Sequence, residues 1–315
     1  MWRLKLARIA FFTILLTYAL IVFGGYVASS ESGMGCGPEW PLCNGSVIPI
    51  LQGDTLIEFA HRVIGAILGV MAIILFVKIL RAQLDRRIRS VAWGMIFLLT
   101  VQILLGAVVV VLDLPALIVS AHLIIAMIFL ASLIWLWRSF NKMDSKYKIQ
   151  TTTLNARKRK TILTHLNVII VLLILTLAFG AFIKHESYGL ACGWLGCGDS
   201  ILPSTIPGIF QTLHRVLAVV STIYLFLLVF WAFSKNWGAA LQNRLLMAVF
   251  AVIIQLIIGV LTIVSYLDIP WAVLHLAIGT ALFGIVYEAR AFVGIHMPAT
   301  RRPRITVEED NKSYL

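Results

Sequence analysis

The chain has 315 residues, 60% of them hydrophobic and 13% charged, with a mean hydropathy of +0.95. That composition excludes an ordinary water-soluble globule and defines an integral membrane protein. A formal net charge of +12 would suit a nucleic-acid partner, but the distribution of that charge along the chain argues against one.

Apolar runs of about 20 residues, the length that crosses roughly 30 Å of hydrocarbon, lie in chain order near 9–29, 56–80, 90–112, 116–138, 162–183, 210–234, 242–266 and 270–293. The sequence therefore predicts an all-α polytopic fold of eight transmembrane helices. The first run follows MWRLKLAR, is longer than the apolar core of a signal peptide, and ends at YVASS, a poor cleavage site, so it reads as a retained anchor. Three Lys or Arg precede this span, five lie in 78–89, eight in 138–160, two in 235–244 and five from Arg290 onward. These 23 of the 26 basic residues share one side of the membrane, whereas the opposite loops, 30–55, 113–115, 184–209 and 267–269, contain only Lys184. The positive-inside rule then makes this a multi-pass cell-membrane protein with both termini cytoplasmic. Its basic loops act as topology signals that also touch membrane lipids, and no nucleic acid is expected as a partner.

The two long outer loops carry all four cysteines, as CGPEWPLC (Cys36 and Cys43) and CGWLGC (Cys192 and Cys197). An oxidising outer compartment favours one disulfide within each loop. Such bonds serve either as staples over the helix ends or as reducible, redox-active pairs, and the sequence leaves both open. A four-cysteine zinc site requires the loops to meet and ranks below them.

The chain also repeats itself. His61 and His214, Gln102 and Gln255, Gly106 and Gly259, and His122 and His275 are each 153 positions apart. The segments VQILLGAVVVVLDLPALIVSAHL and IQLIIGVLTIVSYLDIPWAVLHL share a Gln, a Gly, an Asp-x-Pro turn and a His, with a two-residue length difference at the turn. This predicts two tandem four-helix bundles, 1–139 and 162–315, joined by a basic cytoplasmic linker at 140–161. An even number of spans in each half makes them parallel repeats, related by a pseudo-two-fold axis along the membrane normal.

The four repeated histidines fall at similar depth in the outer half of the bilayer. Two imidazoles at one level of a four-helix bundle can hold a haem iron from both axial sides. A single intramembrane histidine is more often a helix-to-helix hydrogen bonder, but the cost of burying ionisable groups in lipid and the duplication favour ligation, by His61 with His122 and by His214 with His275. His165, His185 and His296 have no repeat mates and are expected to be solvated. Arg62 and Arg215 each follow the first histidine of a pair and suit either snorkelling to headgroups or a fork on haem propionates. Gln102 and Gln255 read as packing groups between helices. Glu58 lies three residues before His61 and shares its helical face, whereas the equivalent position in the second half is Gln211. An acid beside the ligand in one half only points to chemistry in that half. A di-iron carboxylate site would need further buried acids that this half lacks.

Eight spans in two like halves, EFAHR, SAHL, LHR and LHL on successive even-numbered spans, and a cysteine pair in each long outer loop resemble the bacterial haem A synthases over about 9–293. The resemblance implies an oxidoreductase that oxidises the C8 methyl group of haem O to a formyl group, supplying haem A to terminal oxidases. It implies that His61 and His122 hold haem O with Glu58 as the catalytic group, and that His214 and His275 hold a haem b cofactor. Haem O synthase and a quinone or another electron-transfer partner are the expected associates. One departure is that four residues separate the second cysteine pair against six in the first, which sets the two pairs apart. A di-haem b-type cytochrome working between quinol and an outer acceptor, or a haem carrier, would explain the histidines but gives the contrast of Glu58 with Gln211 no purpose.

Overall fold

A computed structural model of the chain describes residues 2–141, 155–193, 196–197 and 203–297. Eight helices follow in order: α1 Trp2–Ser29, α2 Gly53–Arg81, α3 Arg86–Val111, α4 Ala116–Asn141, α5 Ala156–His185, α6 Ile206–Ser234, α7 Ala239–Val264 and α8 Ile269–His296. All eight are long and apolar enough to cross a membrane, so this is a multi-pass membrane protein. Among the described residues there is no strand.

Most helices overrun the apolar stretches that predicted them, because their ends are set by caps and by good helix formers. Helix α5 begins inside the expected linker, where the Asn155 side chain accepts from the Arg157 N–H at 3.1 Å and four basic residues of high helix propensity follow. Helix α6 begins at Ile206, capped by Thr205 with Pro207 in its first turn. At its other end α4 takes in Phe140 and Asn141; residues 142–154 of the expected linker, and the tail beyond Met297, lie outside the described residues.

Helices α1 to α4 form one ring of neighbours and α5 to α8 another. The halves meet where α1 packs on α8, α4 on α5, and α4 on α8. Exchanging the halves turns this set of contacts into itself. Helices α2, α3, α6 and α7 stand on the flanks, with Trp93, Phe97, Phe230 and Phe250 exposed as side chains facing lipid would be.

Boundaries recur as well. The limits of α2 and α6, and of α3 and α7, lie 153 positions apart, while the one-turn 3-10 helices Ser32–Met34 and Tyr188–Leu190 are 156 apart. The difference is absorbed in the outer loop, which is three residues shorter in the second half. The α3–α4 turn places Asp113 and Leu114 in the left-handed region (φ 60° and 57°), and the α7–α8 turn does the same with Tyr266 and Leu267 (φ 57° and 65°). These pairs keep the 153 offset, so the expected two-residue length difference is not there. Matching the two Asp-x-Pro sequences puts the turns out of register; the shared feature is the backbone. Left-handed leucines are strained and persist only where the surroundings hold them. Here Leu114 packs on Gly33 and Leu267 on Gly189.

Apolar packing is uneven along the bundle. In the first half the buried cluster includes Ala10, Leu75, Ile79, Met95, Leu133 and Phe140; in the second it includes Ile162, Leu166, Leu228, Leu245, Phe283 and Val286. Both clusters occupy the end away from the disulfide loops. Toward the loops, no residue from Phe59 to Ile67 on α2 or from Thr212 to Val220 on α6 is buried. The outer ends of α2 and α6 thus carry half-buried and exposed faces, whereas the opposite ends of the bundle are close-packed.

Candidate functional site: paired histidines beneath the disulfide loops

The four repeated histidines lie on the helix ends nearer the disulfide loops. His61 on α2 lies within electrostatic range of His122 on α4, and His214 on α6 of His275 on α8. Each imidazole presses on a glycine of the preceding helix. A Cβ at Gly24 would meet His61 Cε1 at 3.2 Å, one at Gly106 would meet His122 Cε1 at 3.3 Å, one at Gly180 would meet His214 Cε1 at 3.1 Å, and one at Gly259 would meet His275 Cε1 at 3.0 Å. Any larger residue would push the ring away, so glycine here serves close approach.

His214 Nδ1 lies 3.0 Å from the Thr176 carbonyl oxygen. A carbonyl only accepts, so Nδ1 carries the proton and Nε2 keeps the lone pair a metal would need. In the first half this contact is absent, and the Nδ1 atoms of His61 and His122 have no hydrogen-bond partner among the described residues. Buried polar atoms without partners are costly. Imidazoles on different helices of each half, with two buried Nδ1 atoms unpartnered in the first half, have the donor chemistry to hold a haem iron. Gln255, expected to be a packing group, instead brings its amide nitrogen within 3.2 and 3.3 Å of the two ring nitrogens of His275.

Glu58 is buried, at 5% exposure. Its Oε2 accepts the Cys36 backbone N–H at 2.7 Å, and its Oε1 accepts from Arg62 Nε at 3.0 Å and from Arg62 Nη2. Arg62 Nη1 donates to the Leu42 carbonyl at 2.9 Å. In the second half Gln211 Oε1 accepts the Cys192 N–H at 2.6 Å and its amide donates to the Gly189 carbonyl. Arg215 Nη2 donates to the Cys192 carbonyl at 3.4 Å. Glu58 and Gln211 thus share one structural job, anchoring the first cysteine of the outer loop to the helix that carries a histidine. The halves differ in charge at that point, not in connectivity. Sequence reasoning saw the Glu/Gln contrast but not the anchoring, because the partners are 22 and 19 positions away.

Both expected disulfides are formed, Cys36–Cys43 and Cys192–Cys197, which removes the zinc reading. The expectation of solvated histidines fails at all three positions, His185 being half-buried at the end of α5. His165 Nδ1 lies 2.7 Å from the Tyr224 hydroxyl with its ring 4.9 Å from that of Trp231, and His296 stacks on Phe292 at 5.3 Å. The glycines opposite His61 and His214 were also missed; they repeat at 156, whereas the histidines repeat at 153.

Fold and site together define an eight-span helical membrane protein with two pairs of interior histidines under disulfide-closed loops. The family model described as cytochrome oxidase assembly protein, COX15-CtaA, matches residues 7–287. The chain belongs to that family. Among its relatives is the heme A synthase of Bacillus licheniformis, 30% identical over 286 residues that cover 85% of this chain and 89% of the relative. The heme A synthase of Staphylococcus epidermidis is 29% identical over 282 residues, 87% and 90% of the two chains. That of an Exiguobacterium species is 26% identical over 285 residues, 90% and 91%.

Proposed function

We propose that this chain is an oxidoreductase that converts haem O to haem A, holding its substrate between His61 and His122 and a haem b cofactor between His214 and His275. The observation that carries the reading is the set of four histidines, each seated on a glycine of the preceding helix, in a chain similar to heme A synthases. Counted against water, turning the substrate's C8 methyl group into a formyl group adds one oxygen and releases four electrons and four protons, by way of an alcohol and a hydrate that loses water; the electrons leave to the quinone or other carrier this reading requires. A haem b bound in the second half supplies one-electron transfer.

The chain's own residues position and exclude. His61 and His122 fix the porphyrin plane, and the loop closed by Cys36–Cys43 covers the site from the outside. Glu58, one turn before His61 and held by the Cys36 N–H and Arg62, is the group we assign to proton removal or to stabilising charge at the reacting carbon, where a low dielectric strengthens a carboxylate's effect. Arg215, with a single hydrogen bond among the described residues, keeps donors for a propionate; Arg62 would share its own between a propionate and Glu58. A haem O synthase delivering substrate within the bilayer, and a quinone or other electron carrier, are the partners this reading needs. The units 1–139 and 162–315 are then a substrate half and a cofactor half.

Pigment extraction from purified protein tests the assignment. Wild type should yield haem b with traces of haem O and haem A. His61→Ala should keep haem b and lose the other two, whereas His214→Ala should lose haem b. Equal loss of haem b in both variants would sink the division of labour.

A further inference from the structure

At the end of the bundle away from the disulfide loops, a cavity of about 340 Å3 lies on the seam between the halves, lined by α3 and α4 from one and by α5 and α8 from the other. Its wall is apolar, with Ile128, Ile174 and Phe283 at depth. Arg87, in the first turn of α3, and Arg290, seven residues beyond Phe283 on α8, line the end nearer the helix termini. Seven residues of helix span about 10 Å, a distance that separates a headgroup from the first several methylenes of an acyl chain.

Both guanidiniums are held from one side. Arg87 lies over the Trp135 ring at 5.4 Å, and Arg290 Nε donates to Asn167 Oδ1 at 3.1 Å. Neither takes part in an ion pair among the described residues; Glu288, the acid close to Arg290 on α8, is occupied by Arg138 and Arg244. Two oriented, uncompensated cations above an apolar slot call for a ligand that is anionic at one end and aliphatic at the other.

We propose that this seam binds one anionic phospholipid of the leaflet on the basic side, its phosphodiester between Arg87 and Arg290 and one acyl chain along Ile128, Ile174 and Phe283. Guanidinium forks match phosphate oxygens, and basic pockets between spans on the cytoplasmic side are characteristic sites for acidic headgroups. A free phosphate would leave the apolar wall uncovered. The chain's own acidic stretch, Glu308, Glu309 and Asp310, offers charge but no aliphatic chain. Because the lipid touches both halves, it staples them together.

The test uses full-length wild type, R87Q/R290Q and R87K/R290K, stripped of lipid in a neutral detergent and then offered phosphatidylglycerol or phosphatidylcholine. Bound lipid is counted by native mass spectrometry, and thermal unfolding is followed with and without lipid. Wild type should retain one phosphatidylglycerol in preference to phosphatidylcholine and unfold at a higher temperature with it. The glutamine variant should lose that preference roughly tenfold with haem content unchanged, which separates this test from the functional reading above; the lysine variant, which keeps the charge, should retain most of it. Equal retention of both lipids by wild type, or an undiminished preference in the glutamine variant, overturns the proposal. So does a preference that emerges only when Glu308→Gln, Glu309→Gln and Asp310→Asn are introduced together, since the tail would then be the occupant.

Discussion

At the scale of single residues, the glycines opposite the histidines are as demanding as the histidines. Adding one methyl at Gly180 puts a carbon 3.1 Å from His214 Cε1, and overpacking of this kind typically costs about 1–3 kcal/mol. Gly180→Ala should therefore lower the haem retained by the second half, read as Soret absorbance per mole of protein. Gly94→Ala, where nothing lies within 4 Å, should leave it unchanged. Equal absorbance in the two variants would remove the steric argument. The anchoring pair yields a second prediction. Gln211 shows that an amide can hold the cysteine N–H of an outer loop, so Glu58→Gln should keep the Cys36 anchor, give up only the Arg62 pairing and lose less thermal stability than Glu58→Ala, while reducing haem A formation. Glu58→Ala orphans the buried Cys36 N–H, at about 1–3 kcal/mol, and should lower both. Normal haem A output from Glu58→Gln would leave Glu58 a purely structural role.

At the scale of elements, Glu288 on α8 joins Arg138 on α4 to Arg244 on α7, and Arg244 also lies over the Phe292 ring at 4.0 Å. One carboxylate thus ties a helix of the first half to two of the second. Glu288→Gln would leave two guanidiniums facing each other around a neutral amide, a loss of about 1–3 kcal/mol. It should appear as a lower unfolding temperature in detergent, and an unchanged one would show the cluster to be passive. The helices were legible in sequence because hydropathy over 20 residues is a long signal. Their ends were not, since Asn155 capping and the run from Arg157 to Lys160 carry α5 well before its apolar stretch begins. Likewise the four histidines were legible at one offset, but Gly24 and Gly180 were hidden by the three-residue shortening of the second outer loop. The α3–α4 turn misled for a related reason. Backbone conformation at Asp113 and Leu114 recurs in Tyr266 and Leu267, while the local Asp-x-Pro sequence recurs two positions later.

For the whole molecule, the contact pattern is unchanged by exchanging the halves, and we propose the orientation that the basic loops imply, with both termini in the cytoplasm. A phosphatase reporter, active only outside the cytoplasm, should be inactive at the C-terminus and active when fused after Ser187, between α5 and α6. The opposite pattern would invert the topology and move the arginine-lined seam to the other leaflet. The glycine seats carry one more implication. Because each imidazole is wedged as the bundle folds, its rotameric freedom is lost before any porphyrin arrives, and a guest finds a preorganised socket. On the proposed function, the glycine seat is what the halves share, while His214 is held by the Thr176 carbonyl and His275 by Gln255 where His61 and His122 keep an unpartnered Nδ1. Discrimination between one macrocycle and another would then draw on those contacts as well as on the ring's periphery.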